Sequence, residues 1–238
     1  MLQSGLVLST LALGCLTAHL ALAQGESEVA AYIKGLASPD PDVRRQSALA
    51  LEKLGPQAKP AVAALRVALK DPDQFVRRFA ARALGAIGPD AAAAVPDLIS
   101  LLSSPQREEA EAAVSALGKI GKPAVKALSQ ALESTQDPLL LRTLAKTLGS
   151  LGSEAAPAVP ALVQRLKNPP KVPAKADGLA TRVEVLAAIV EALGNIGPAA
   201  KEAVGEIKNL LADKLLAKNK DFRAIANTAI KKISGKSP

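Results

Sequence analysis

The sequence predicts an all-α solenoid: about six helical hairpins stacked in a row. Repetition is the first of three observations behind this reading. Leu84-Gly85-Ala86-Ile87-Gly88-Pro89 recurs as Leu117-Gly118-Lys119-Ile120-Gly121, Leu148-Gly149-Ser150-Leu151-Gly152 and Leu193-Gly194-Asn195-Ile196-Gly197-Pro198. Leu51-Glu52-Lys53-Leu54-Gly55-Pro56 is an earlier copy without the first glycine, and Ile230-Lys231-Lys232-Ile233-Ser234 is a worn last one. The leading positions lie 33, 33, 31, 45 and 37 residues apart, a period that signals a repeat array. Composition is the second observation. Of 238 residues, 49% are hydrophobic but only 2% aromatic, which suits closely packed helices of small aliphatic side chains and disfavours a sheet. Helical periodicity between the glycine motifs is the third.

Taken in order, the units cover about 27–55, 56–88, 89–121, 122–152, 153–197 and 198–234, within a solenoid spanning 24–238. In the first unit Val29, Ile33 and Leu36 mark one helical face. Asp40-Pro41 then starts the second helix, with the carboxylate accepting from free amides and proline at a position that needs no amide. Asp71-Pro72, Ser104-Pro105 and Asp137-Pro138 are read as the same device, each opening a helix of about 14 residues that ends in the glycine motif. The motif's second glycine (Gly55, Gly88, Gly121, Gly152, Gly197) is placed as a left-handed cap. Its first glycine (Gly85, Gly118, Gly149, Gly194) costs up to about 1 kcal/mol of helix propensity, so a neighbouring helix is expected to approach closely there. Val62, Val95, Val125, Val159 and Val204 open the first helices of the following units. The fifth unit's extra length is assigned to a loop over 167–177, with three prolines and three lysines, and the sixth unit has a smaller excess around 214–220. Residues 234–238 are expected to fray.

Residues 1–23 stand apart. They hold no charged side chain, are apolar from residue 6 onward and end in Ala21-Leu22-Ala23, the pattern of a secretory signal peptide cleaved before Gln24. The alternatives are a retained amino-terminal anchor, or a lipoprotein processed at Cys15 in Leu11-Ala12-Leu13-Gly14-Cys15. Cys15 and His19 are the only cysteine and histidine. Beyond this segment the chain therefore offers no thiol nucleophile, imidazole base or soft metal ligand, so neither cofactor nor metal is expected.

The 71–89 segment, with Asp71-Pro72-Asp73-Gln74-Phe75-Val76-Arg77-Arg78 and then Ala80-Ala81-Arg82-Ala83-Leu84-Gly85, resembles the HEAT repeat, in particular the bacterial subtype of phycobilisome lyases. Residues 40–56 are a second good match, and the later units match through their glycine motifs. The resemblance implies a right-handed solenoid and a protein-binding scaffold. It also implies a ladder of Asp–Arg contacts between units, carried here by Asp42, Arg44, Asp73, Arg77, Asp221 and Arg223. Ala110 and Leu141 stand where the third and fourth units need the arginine, so the ladder should break in the middle. The family also suggests a lyase, or a hydroxylase with iron held by His-Glu pairs, but no histidine follows residue 19 to build that iron site.

Net charge is +8, and residues 199–238 carry nine Lys or Arg against four Asp or Glu. A second basic group, Arg44, Arg45, Arg77, Arg78 and Arg82, lies at the start of second helices. The candidate binding residues are Arg45, Arg78, Arg82, Phe79 (aligned with polar Gln46), Lys171 and Lys175. The reading is an exported, non-catalytic scaffold that binds an unidentified protein through the inner face. The alternative is a module for acidic envelope polymers or lipid surfaces. Glu108, Glu109 and Glu111 interrupt the basic track, and no aromatic residues interleave to stack bases, which disfavours nucleic acid.

Overall fold

The structure, a computed structural model, describes residues 28–169 and 176–235. The signal-type segment, Cys15, Lys171 and Lys175 lie outside them. All regular elements among the described residues are helical, arranged as six hairpins. The first helices are α1 (from within residues 28–35), α3 (Val62–Ala68), α5 (Val95–Leu101), α7 (Val125–Ser134), α9 (Val159–Lys167) and α11 (Ala203–Ala212). The second helices are α2 (Pro41–Leu54), α4 (Gln74–Ile87), α6 (Arg107–Ile120), α8 (Pro138–Ser150), α10 (Ala176–Ile196) and α12 (Lys220–Ile233). A single apolar core runs between the two layers, from Val29 to Ile233, built mainly of Ala, Leu, Val and Ile. The helix around Ala180–Ala200 is apolar enough to cross a membrane by composition, but its apolar face is spent on this core.

Each glycine expected to cap a helix has positive φ: 56° at Gly55, 77° at Gly88, 74° at Gly121, 57° at Gly152 and 79° at Gly197. The chain then continues as a 3₁₀ segment that turns into the next first helix. The inner glycines explain the spacing of the second helices. A Cβ on Gly85 would stand 2.8 Å from the Ala116 Cα, one on Gly149 2.9 Å from the Ala192 Cα, and one on Gly194 2.8 Å from the Ala229 Cα. At these three junctions the second helices therefore stack nearly backbone to backbone. First helices touch one another more sparsely, so the second-helix layer is the short, inner side of the stack.

Two expectations need correction. Two of the four X-Pro pairs do not cap helices: α4 is capped by Asp73, whose carboxylate accepts from the Phe75 and Val76 amides, and α6 begins after Gln106. Asp71 and Ser104 instead sit two residues earlier and accept from the amides of Asp73 and Gln106, as Ser38 does for Asp40 and Thr135 for Asp137. The 31-residue step from Asp40 to Asp71, set against 33 from Asp40 to Asp73, is the register error made visible. The fifth unit's excess is not all loop, because α10 has 21 residues where α4 has 14, and Ala176 and Asp177 are already helical. Val43, aligned with buried Val76 and Phe222, is 40% exposed.

Candidate functional site

The inner face of the first three units is built on α2, α4 and α6. Asp40 and Asp73 start α2 and α4 in the same register, which sets Arg44 and Arg45 one repeat behind Arg77 and Arg78. Arg44 reaches forward to the Asp71 carboxylate at 2.7 and 2.9 Å and to the Ser38 carbonyl at 2.9 Å. Arg77 repeats the move, donating to Glu109 at 2.6 and 3.1 Å and to the Asp71 carbonyl at 2.7 Å. Glu109 is buried and also accepts from Ser104 at 2.8 Å. One of the acids expected to break the basic track is thus a rung of the ladder. Glu111 is held by Arg107 within α6.

The partners differ from those the resemblance implied. Asp73 takes Arg45, not Arg44, and Asp42 makes only a local contact with Arg45 at 2.8 Å. The Arg45 guanidinium and the Val76 and Phe75 amides hold the Asp73 carboxyl at about 2. Hydrogen bonding to Asp73 in turn raises Arg45. Asp221 and Arg223 are exposed and form no ion pair among the described residues. Past Glu109 the next inter-unit ion pair is Arg142 with Glu184, so the ladder is interrupted at mid-array.

Of the candidate binding residues, Arg45 and Arg82 are occupied. Arg82 binds Glu52 at 2.7 Å, though it stays 42% exposed. Arg78 has no carboxylate partner among the described residues and lies over the Phe79 ring at 5.6 Å, with Arg82 over the same ring at 5.9 Å. Phe79 is half-buried against the core. Phe75, one turn earlier, is 41% exposed beneath Arg45 at 5.1 Å. Two of the chain's three phenylalanines, one exposed and one half-buried, therefore lie on one helix, each against a guanidinium; such cation–π pairs stabilise by about 0.5–1 kcal/mol when exposed. Beside them a groove of about 380 Å³ runs between α4 and α6, lined by Arg78, Arg82, Glu108, Glu111, Ser115 and Lys119 among others.

Sequence reasoning missed one residue altogether. Arg165 of α9 is buried and donates to the carbonyls of Leu132 at 2.8 Å, Glu133 at 2.7 Å and Thr135. It satisfies the open carboxyl end of α7 from the next unit, tying units four and five alongside the Arg142–Glu184 pair. Its partners are backbone oxygens, so no side-chain motif announced it.

A stack of helical hairpins with ladder contacts and an inner groove defines an α-solenoid repeat scaffold. The HEAT-repeat family model matches residues 29–102 and 95–180, and the chain belongs to that family. No curated protein matches it. Among solved structures it is similar to an engineered protein at 23% identity, covering 87% of this chain and 96% of that one with a TM-score of 0.48. A designed armadillo repeat protein is 17% identical over 85% and 98%, with a TM-score of 0.44. The CpcE–CpcF complex of phycocyanin lyase from Nostoc sp. PCC7120 is 18% identical over 71% and 98%, with a TM-score of 0.46.

Proposed function

We propose that the chain is an exported, non-catalytic scaffold that binds a protein partner on the inner face of its first three units. The observation that carries this reading is Phe79, half-buried with Arg78 and Arg82 over its ring, these two arginines also lining the α4–α6 groove. Aromatic and arginine side chains dominate the energetics of protein interfaces, and this chain has few aromatics to place anywhere. Export rests on the apolar residues 6–23 and the Ala21-Leu22-Ala23 ending. The absence of histidine and cysteine after residue 19 speaks against nucleophilic or acid–base catalysis. Affinity capture from the native envelope with wild-type protein and Phe79→Ala tests the site. The variant should fold, keep its melting temperature within a few degrees and lose the partner; retention of the partner would refute the assignment. Amino-terminal sequencing of the exported form should begin at Gln24, whereas a start at Cys15 establishes the lipoprotein.

A second reading has its own observation. Lys214, Lys218, Lys220, Arg223 and Lys231 are exposed, and none forms an ion pair among the described residues, whereas most arginines of the first three units are neutralised. An acidic polymer or lipid surface would meet this last unit, and its binding would weaken steeply between low and high salt. Capture that is insensitive to salt favours the inner-face interface.

A further inference from the structure

The junction between units three and four lacks what ties the others together. Arg44–Asp71, Arg45–Asp73 and Arg82–Glu52 join units one and two. Lys59–Asp90, Arg66–Asp97 and Arg77–Glu109 join two and three. Arg142–Glu184 and the Arg165 carbonyl contacts join four and five, and Lys232 donates to Asn195 between five and six. Among the described residues, no ion pair or charged hydrogen bond crosses from 28–121 to 122–235.

Backbone packing fails at the same place. The residue before each motif leucine is the one that receives the glycine of the preceding helix: Ala116, Ala192 and Ala229. In α8 that position is Thr147, buried, with its hydroxyl donating to the Thr143 carbonyl at 2.9 Å. Gly118 accordingly makes no close approach: a Cβ there would meet only the Ser150 Oγ, at 3.8 Å. The helices α6 and α8 touch far more sparsely than the other neighbouring second helices. The connecting 3₁₀ segment, Lys122–Ala124, is three residues long, against seven in Gly55–Ala61, Gly88–Ala94 and Gly152–Ala158.

We infer that the array is articulated: two three-unit blocks, 28–121 and 122–235, tilt about the Gly121–Ala124 link and open or close the inner face between α6 and α8. The apolar core remains continuous through the junction and serves as the pivot. Hinges of this kind sit where a few residues absorb the change between two rigid packings. The seam owes its looseness to one branched side chain, since alanine at 147 would complete the Gly–Ala contact made elsewhere. This inference uses none of the residues assigned to partner binding.

Pulsed electron paramagnetic resonance on spin-label pairs tests it, in the full chain carrying Cys15→Ser. Positions 53, 119 and 195 are exposed and occupy the same place in units one, three and five. A Lys53→Cys/Lys119→Cys pair spans two units within a block, and a Lys119→Cys/Asn195→Cys pair spans two units across the seam. The cross-seam distance distribution should be the broader one. Thr147→Ala should narrow it to the width of the control, and Thr147→Val, which keeps the branch, should leave it broad. Equal widths in the parent protein, or a broad distribution that survives Thr147→Ala, would overturn the inference; so would narrowing by Thr147→Val.

Discussion

Gly85 of α4 lies against Ala116 of α6 so closely that a Cβ on the glycine would stand 2.8 Å from the Ala116 Cα and 3.1 Å from its Cβ. Backbone meets backbone there, and neither side can retreat without separating two helices of the core. The same sequence motif therefore serves different ends in different units. At Gly85, Gly149 and Gly194 the missing side chain is filled by the next helix, whereas at Gly118 it is not.

Glycine-to-alanine substitution should separate these two cases. Gly85→Ala and Gly194→Ala must push a helix away and should destabilise by about 1–3 kcal/mol, the usual cost of overpacking. Gly118→Ala meets nothing closer than 3.8 Å and gains helix propensity, so it should be neutral or stabilise by up to about 1 kcal/mol. Urea unfolding midpoints of the three variants check the contrast.

Removing Arg165 leaves the carbonyls of Leu132, Glu133 and Thr135 without their donor. Hydrogen bonds involving a charged group contribute about 1.5–3 kcal/mol, so Arg165→Leu should lower stability by about that much. Arg165→Lys, with one ammonium for three carbonyls, should recover only part. Equilibrium denaturation of both variants reads this out, and an unchanged midpoint in Arg165→Leu would mean the cap contributes nothing.

Glu109 is buried between Arg77 and Ser104. Glu109→Ala strands the Arg77 guanidinium at the unit two–three junction and should cost about 3 kcal/mol, as breaking a buried ion pair from one side does. Glu108→Ala, one residue away and exposed, should change stability by less than about 0.5 kcal/mol. Thermal melts of the pair provide the comparison.

Acid should loosen the first two units through Asp73. Its carboxyl is held at about 2 in the folded chain, against roughly 3.9 for a free aspartate. A folded-state value below the unfolded one contributes stability that is present above about pH 4 and lost as pH falls toward 2. Asp73→Asn keeps an N-cap acceptor but not the charge opposite Arg45. Its stability should be lower than wild type near neutral pH, and the two curves should converge between pH 4 and 2 in a melting series.

The helix ends and the position of the core were legible in the residues because each unit repeats them. A glycine followed by proline stops a helix wherever it occurs, and Val76 and Phe222 fall on the apolar stripe by spacing alone. The register of the N-caps was less legible, since Asp71-Pro72 imitates Asp40-Pro41 while the true cap, Asp73, lacks the proline. Phe79 was marked by its mismatch with Gln46, and its exposed side is where the mismatch placed it. Thr147 carried a readable signal, a β-branched residue where sister units have alanine, but its meaning depends on knowing which glycine faces it.

By itself, the sequence determined the all-α class, the period and the capping glycines. All of these follow from local backbone chemistry or from comparing one unit with the next, whereas the ladder and its break at mid-array came from the family resemblance. The tertiary structure decided which charges neutralise one another, that Arg165 ties units four and five through backbone carbonyls beside the Arg142–Glu184 pair, and that one junction is loose. Those outcomes rest on distances between groups about 30 residues apart, where a fraction of an ångström in helix spacing separates a stacked pair from an open seam.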